Sequence, residues 1–283
     1  MNEKKVVIIG SGCVGSSIAF ALSFIEDIKE IILLDVNEQL VEGEVMDIRS
    51  GIGNTSDAKI KSGSYHDCID CDVIIISAGK SREVGQKRED LWSENSKIMK
   101  SIIDKIRPVY HNSFVIIVSN PVDELTQYAA DQGVFPQEKL CGTGCMLDTF
   151  RLIIALSDYF KVKSSRIFAY SVGTHGDRQK VLWDEIKIDE KPIAEYCNIK
   201  NIEWNDEIKG KIHKEVTNLG MEIISKKGKT QYGIAKVVAY LIEKLFNKSK
   251  TIVSVDTNLG TLNNGVTSKL VYIGHEQLNL IKI

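Results

Sequence analysis

Residues Lys4 to Ile9 form a short, mostly β-branched run that stops at Gly10. The chain then reads Gly10-Ser11-Gly12-Cys13-Val14-Gly15, and apolar residues resume at helical spacing from Ile18 to Ile25. A strand that breaks at glycine and passes straight into a helix narrows the possible folds more than any other feature of this chain, because it opens a βαβ unit. GxGxxG alone is a weak pattern. Here a second buried run, Ile31 to Leu34, follows and ends in Asp35, twenty residues past Gly15, in the order that a dinucleotide-binding turn requires. The glycines permit a tight turn and close backbone approach to a pyrophosphate, which the free N–H groups and dipole of a helix N-terminus favour. A carboxylate at the end of the second strand accepts ribose hydroxyls and repels a 2′-phosphate. The spacing therefore points to NAD in preference to NADP, with Gly10, Gly12, Cys13, Val14, Gly15 and Asp35 as contacts.

The alternation continues. A polar helix through Leu40, Val41, Val45 and Ile48 is followed by a strand at Val73 to Ile76, a helix from Leu91 to Ile106 stopped by Pro108, and a strand at Phe114 to Val118 closed by Asn120-Pro121. Continuous apolar runs imply strands buried on both faces, as in a parallel sheet covered by helices. After about residue 145 the texture changes. Helices are expected at Asp148 to Phe160, Asp206 to Lys226 and Ala235 to Phe246, strands at Arg166 to Val172 and Val181 to Ile188, and strands and turns from Thr251 to Tyr272 with a hairpin at Asn263-Asn264-Gly265. In the long helix Ile208, Ile212, Val216, Leu219 and Ile223 recur at steps of three or four. The expected architecture is α/β: a Rossmann-type doubly wound parallel sheet in residues 1–143, then a second, α+β substrate domain in residues 144–283.

Charge removes several classes of partner. The 283 residues carry 36 basic and 38 acidic side chains, a formal net charge of −2, so there is no electrostatic footprint for nucleic acid or an anionic membrane. No apolar stretch approaches a membrane span, and the run behind the N-terminus is too short for a signal-peptide core. Six cysteines without a secretion signal read as reduced thiols in a cytoplasmic protein. Cys68 and Cys71, with Cys141 and Cys145, have the look of a zinc site, but each pair falls beside an expected strand, so small buried hydrophobes is the better reading and no metal is expected. A small molecule is left as the partner. Only seven of the basic residues are arginine, whose planar fork grips carboxylates bidentately.

In an open α/β sheet, ligands bind outside the carboxyl ends of the strands. There the chain places Ser77-Ala78-Gly79 and a charged loop with Arg82, Gly85 and Arg88; Ser119-Asn120-Pro121; Gly142 to Asp148 and Arg151; and Gly173-Thr174-His175-Gly176-Asp177. Asp148 and Arg151, three apart, share one helix face. If that face meets His175, an acid–histidine pair and a carboxylate clamp lie together.

Taken in order, GxGxVG, Asp35, Ala78-Gly79, Arg88, Ser119-Asn120-Pro121-Val122-Asp123, Leu147-Asp148-Thr149-x-Arg151 and His175-Gly176-Asp177 resemble the NAD-dependent L-lactate/L-malate dehydrogenase family from about residue 4 to 257. Thr230-Gln231-Tyr232-Gly233-Ile234-Ala235 and Leu182-Trp183 look more like its lactate branch. The resemblance implies a homodimer or homotetramer acting on a small 2-keto or 2-hydroxy acid. It also implies roles: His175 as acid/base, Asp148 orienting and stabilising the imidazolium, Arg151 clamping the substrate carboxylate, and Arg88 closing over the site to polarise the carbonyl. Asn120 would lie near that carbonyl and the nicotinamide, Thr230 would line the substrate pocket, and Ala78 and Gly79 would contact the cofactor.

Two departures leave the substrate open. Arg82 stands where the lactate branch usually has glutamine and the malate branch arginine, and a second arginine would pair with the extra carboxylate of oxaloacetate. Against this stand Thr230 and its surroundings, and the possibility that Arg82 turns outward toward Glu83. L-Lactate/pyruvate is the leading expectation, with L-malate/oxaloacetate or a catalytically weak NAD-binding paralogue as alternatives. The family normally ends in a long amphipathic helix, whereas here only Gly274 to Ile283 follows Tyr272. Leu278, Leu280 and Ile281 are expected to supply about two helical turns over the site, or else the pocket is wetter.

Overall fold

The protein is described by a computed structural model over residues 3–80, 88–176, 178–260 and 265–281, without the side chains of residues 88 and 89. Strand β1 (Lys4–Ile9) leads into α1 (Cys13–Leu22), β2 (Ile28–Leu34), α2 (Glu38–Ile52), β3 (Lys59–Ser62), β4 (Val73–Ile76), α3 (Arg88–Ile106), β5 (Phe114–Ile117), α4 (Val122–Asp131) and β6 (Leu140–Gly142). These strands run parallel in the order β3-β2-β1-β4-β5-β6, the doubly wound order in which the direction of winding reverses between β1 and β4. The fold expected from the alternation is the one found.

Alternate residues of β1 enter different cores, as strand geometry requires. Val6 and Ile8 pack with Ile18 and Leu22 of α1 and with Val41, Val45 and Ile48 of α2. Val7 and Ile9 pack with Met99, Ile102 and Ile103 of α3 and Leu125 of α4. All four residues of β4 and of β5 are buried.

The remaining elements are α5 (Met146–Phe160), β7 (Ile167–Phe168), β8 (Ser171–Gly173), β9 (Gln179–Val181), β10 (Lys187–Ile188), β11 (Lys191–Pro192), α6 (Ile193–Lys200), α7 (Asp206–Lys227), α8 (Tyr232–Phe246), β12 (Thr251–Thr257), β13 (Thr267–Gly274) and β14 (Gln277–Asn279). The main sheet continues through β12, β13, β8 and β9, now antiparallel, while β7, β10 and β11 form a small sheet of their own. Val238, Leu241 and Ile242 of α8 share the core of α1, so the second half of the chain covers one face of the first sheet. Leu152, Leu156 and Phe160 of α5 make a separate core with Ile212 and Val216 of α7.

Two expectations are corrected. The strands drawn at 166–172 and 181–188 are broken into shorter pieces, because the first changes partner at 169–170, from β10 in the small sheet to β13 in the main one, and a 3-10 turn at Trp183–Glu185 interrupts the second. By contrast the helix expected at Asp206 to Lys226 is found as α7, with Ile212 and Val216 buried and Leu219 and Ile223 partly exposed, because the contact with α5 covers only part of the apolar stripe. The C-terminal segment is not helical. His275 and Glu276, both at positive φ, make a two-residue turn, and β14 returns along β13. Leu278 is buried in the sheet core, while Leu280 lies against Gly260, so neither forms a helix over the site. Of the hairpin Asn263-Asn264-Gly265 the first two residues lie outside the described part; the strands that it was to join, β12 and β13, are paired.

Candidate active site

The glycine turn is built for close approach. Gly10 sits at φ +102°, and a Cβ there would fall 2.3 Å from the backbone nitrogen of Ala78; one on Gly15 would fall 1.8 Å from the Gly10 carbonyl. These two glycines let the turn, α1 and the end of β4 touch. Gly12 differs: a Cβ would meet nothing within 4 Å, and no side chain caps α1 there. First-turn N–H groups of a helix have no partner within the helix, so the N-terminus of α1 faces open space with donors available for an anion. Asp35 is fixed by its own neighbours: Oδ2 accepts from the Ser11 amide at 2.8 Å and Oδ1 from the Asn37 amide at 3.1 Å, leaving the carboxylate partly exposed. An open, donor-rich helix end beside an oriented carboxylate fits the pyrophosphate and ribose of NAD.

The loops after β4 and β5 are tied together. Ser119 donates to the Ala78 carbonyl at 2.6 Å, and the Ala78 amide reaches Ile9 at 2.9 Å. Asn95, buried on α3, donates to the carbonyls of Lys80 at 3.1 Å and Asn120 at 2.6 Å and accepts from the Lys80 amide at 2.8 Å. Asn95 therefore holds Gly79 and Asn120 in place. Sequence reasoning missed it, since an asparagine in the middle of a polar helix carries no local sign of burial.

The second cluster does meet, with His175 reaching the helix face of Asp148 and Arg151, the condition that spacing left open. Asp148, in the first turn of α5 and 1% exposed, accepts from His175 Nδ1 at 2.6 Å through Oδ2 and from Arg151 Nη1 at 3.3 Å through Oδ1. One carboxylate thus orients both the imidazole and the guanidinium. The Arg151 fork lies over Gly220 of α7, where an added Cβ would be 3.5 Å from Nη1 and Nη2. Thr149 locks α5 to β8: its hydroxyl accepts from the Ser171 amide at 3.0 Å. The His175 amide donates to Asp123 Oδ1 at 3.2 Å, a support not assigned from sequence. Burial disfavours the imidazolium, but the Asp148 hydrogen bond, with the charges of Asp148 and Asp123, outweighs it and raises the proton affinity of His175 above that of a free histidine.

Thr230 lies partly buried in the turn between α7 and α8, and the next residue back, Lys229, reaches Cys13 Sγ at 2.7 Å, bringing this turn to the start of α1. Arg88 is the first residue of α3, but its side chain lies outside the described part, as does all of Arg82. The four cysteines weighed as a zinc site are buried thiols, and Cys71 contacts Ser113 Oγ at 3.3 Å.

Comparison with known proteins agrees with this geometry. Residues 4–142 match the lactate/malate dehydrogenase NAD-binding domain, and residues 145–277 the lactate/malate dehydrogenase α/β C-terminal domain. The chain belongs to the lactate/malate dehydrogenase family. It is 35% identical over 273 residues to an L-lactate dehydrogenase of Clostridium botulinum, covering 96% of this chain and 85% of that one. It is also 35% identical over 256 residues to the L-lactate dehydrogenase of Acetivibrio thermocellus, covering 90% of this chain and 81% of that one. Among solved structures, the minor L-lactate dehydrogenase of Enterococcus mundtii superposes with a TM-score of 0.93 at 28% identity, over 99% of this chain and 90% of that one. A lactate dehydrogenase from a deep-sea metagenome gives 0.92 at 30% identity, over 100% and 92%. This family member is an NAD-dependent oxidoreductase.

Proposed function

We propose that the chain interconverts L-lactate and pyruvate, with His175 as acid/base and Arg151 as the carboxylate clamp. The observation that carries this reading is the bridging of His175 and Arg151 by Asp148, which puts a proton donor and a carboxylate receptor at a fixed separation. Bound NADH supplies the hydride for reduction. With Nδ1–H given to Asp148, His175 presents Nε2 to the substrate and gives its proton to the ketone oxygen, or takes it from the hydroxyl in the reverse direction. Asp148 keeps one tautomer in place and stabilises the imidazolium. Arg151 retains guanidinium N–H groups beyond the one on Asp148 to grip the substrate carboxylate. Arg88 polarises the carbonyl from the start of α3, Asn120 binds near it, and Thr230 lines the far wall of the pocket. Gly10, Gly12, Cys13, Val14, Gly15, Asp35, Ala78 and Gly79 form the cofactor surface.

Residues 1–143 and 144–283 are the cofactor-binding and substrate-handling parts. The protein works in the cytoplasm as a homodimer or homotetramer. The free state of all six cysteines supports the first statement, and exposed apolar side chains at Met46 on α2, Ile154 on α5 and Met221 on α7 support the second. Among the described residues no helix is long and apolar enough to cross a membrane.

Arg82 is the residue on which the choice between one and two substrate carboxylates turns. Wild-type kcat/KM is expected to be higher for pyruvate than for oxaloacetate. Arg82→Gln is expected to lower the residual oxaloacetate activity by about tenfold, the worth of one charge-assisted hydrogen bond, with a smaller change for pyruvate. An equal loss on both substrates would show that Arg82 does not read the far end of the substrate.

A further inference from the structure

Asp256, the penultimate residue of β12, pairs with Gly142 at the end of β6, and no hydrogen bond links its side chain to His175, Asp148 or Arg151. It is 0% exposed. Its Oδ1 accepts from the Ser268 hydroxyl at 2.6 Å, and Ser268 Oγ in turn accepts from the Cys145 amide at 2.7 Å, at the N-cap of α5. Three elements are clamped at this point. A Cβ on Gly144 would lie 2.1 Å from Ser268 Oγ and 2.5 Å from Asp256 Oδ1, and one on Gly142 would lie 3.1 Å from Asp256 Cβ. The turn so fixed is the start of the helix that presents Asp148 and Arg151.

The other carboxyl oxygen, Oδ2, is buried and has no donor among the described residues. An ionised carboxylate with one hydrogen bond and no cation in so closed a place is strongly disfavoured. Its titratable surroundings point the same way. Asp123 and Glu124 face it from α4, Cys141 from β6 and Cys145 from the N-cap of α5, and among the described groups that act on it most strongly His175 alone carries compensating positive charge. On β13 Lys269 pairs across from Val255 and gives its amine to the Leu259 carbonyl. Burial first, then the charge of Asp123, pushes the Asp256 carboxyl up to about 8. A proton on Oδ2 turns an acceptor without a donor into a donor.

We propose that Asp256 is a positioning residue for the reaction, carried as the neutral acid, with Oδ1 seating the α5 N-terminus through Ser268 and the proton on Oδ2 directed toward Asp123. His175 then faces two carboxylates, Asp123 and Asp148, and not three. A third negative charge would hold the imidazolium too firmly for it to give up its proton in the forward step. The proposal rests on the reading of His175 as the acid/base, but its first two tests below do not involve turnover, so its failure and that of the reaction are distinguishable.

The test is the Asp256→Asn variant, whose amide keeps an acceptor for Ser268 and a donor toward Asp123. A carboxyl with its folded pKa raised makes the folded state hold more protons than the unfolded one. Its contribution to stability therefore declines as pH rises from its unfolded value of 3.8 to about 8, and is constant above that. Asparagine does not titrate. The melting temperature of Asp256→Asn relative to wild type is expected to rise between pH 5 and pH 8, by about 5 °C or more, and then level off. Infrared spectra of the wild-type protein, which need no variant, are expected to show a protonated-carboxyl band at neutral pH that disappears as pH passes about 8. In pyruvate reduction the kcat/KM profiles of wild type and Asp256→Asn are expected to coincide in shape up to about pH 8, where residue 256 is uncharged in both, and to separate above it, the variant falling more steeply because it lacks the newly ionised Asp256 that helps His175 keep its proton. A melting-temperature gap that is constant or shrinks with pH, no acid band at neutral pH, or kcat/KM profiles whose shapes already differ below about pH 8 would each overturn the proposal.

Discussion

His175→Ala is expected to lower kcat for pyruvate reduction by about 10²- to 10⁴-fold, the usual worth of a positioned general acid. NADH affinity, read by quenching of cofactor fluorescence, is expected to hold, because the proposed cofactor contacts are on the β1–α1 turn, Asp35 and the loop after β4 and not on the 174–176 segment. The pH profile supplies a second check. Reduction needs the imidazolium and oxidation the neutral ring. The Asp148 bond raises the proton affinity of His175 above its ordinary value of 6.5, so reduction is expected to fall, and oxidation to rise, on the alkaline side of that value. A His175→Ala enzyme that keeps near-normal turnover would end the assignment.

Arg151→Lys preserves the charge and removes the fork. A lysine ammonium is a point charge on a flexible stem and cannot make two parallel hydrogen bonds to a carboxylate. Losing one charge-assisted bond of about 1.5–3 kcal/mol corresponds to a rise in KM for pyruvate of roughly 10- to 100-fold. The damage is expected in KM more than in kcat, since the carboxylate is gripped equally in the ground and transition states. A second consequence follows from the shared carboxylate. Arg151 and His175 sit on opposite oxygens of Asp148, so Arg151→Ala is expected to shift the pH profile as well, by removing a positive charge from the oxygen that faces away from the imidazole. Steady-state kinetics across pH for the two variants separates grip from charge.

The parts of the fold that were legible in sequence are those where a local pattern has a unique structural cause. The β1–α1 turn is one: Gly10 and Gly15 are required by backbone contacts that no side chain tolerates. The buried runs at 73–76 and 114–117 are another, because strands covered on both faces cannot alternate. The meeting of Asp148, Arg151 and His175 was legible only as a condition, since helix spacing aligns the first two but says nothing about which loop reaches them. Less legible were features decided by tertiary cover. Leu219 and Ile223 continue a periodic stripe that the contact with α5 leaves partly open. The turn at His275-Glu276 places two non-glycine residues at positive φ, a conformation that their sequence does not announce, so the last residues read as a helix and form a strand. Asp256 lies in a stretch legible only as strands and turns, and nothing local marks it as a carboxylate that sheet and helices close over.

The central claim is an NAD-dependent conversion of a 2-keto acid to its L-2-hydroxy acid by this set of residues. It is tested most directly by following NADH oxidation by the purified wild-type chain with pyruvate and with oxaloacetate, and identifying the product and its configuration. The expected result is stoichiometric L-lactate from pyruvate, with a kcat/KM above that for oxaloacetate. NADH binding without turnover of either acid, or a kcat/KM for oxaloacetate far above that for pyruvate, would contradict it.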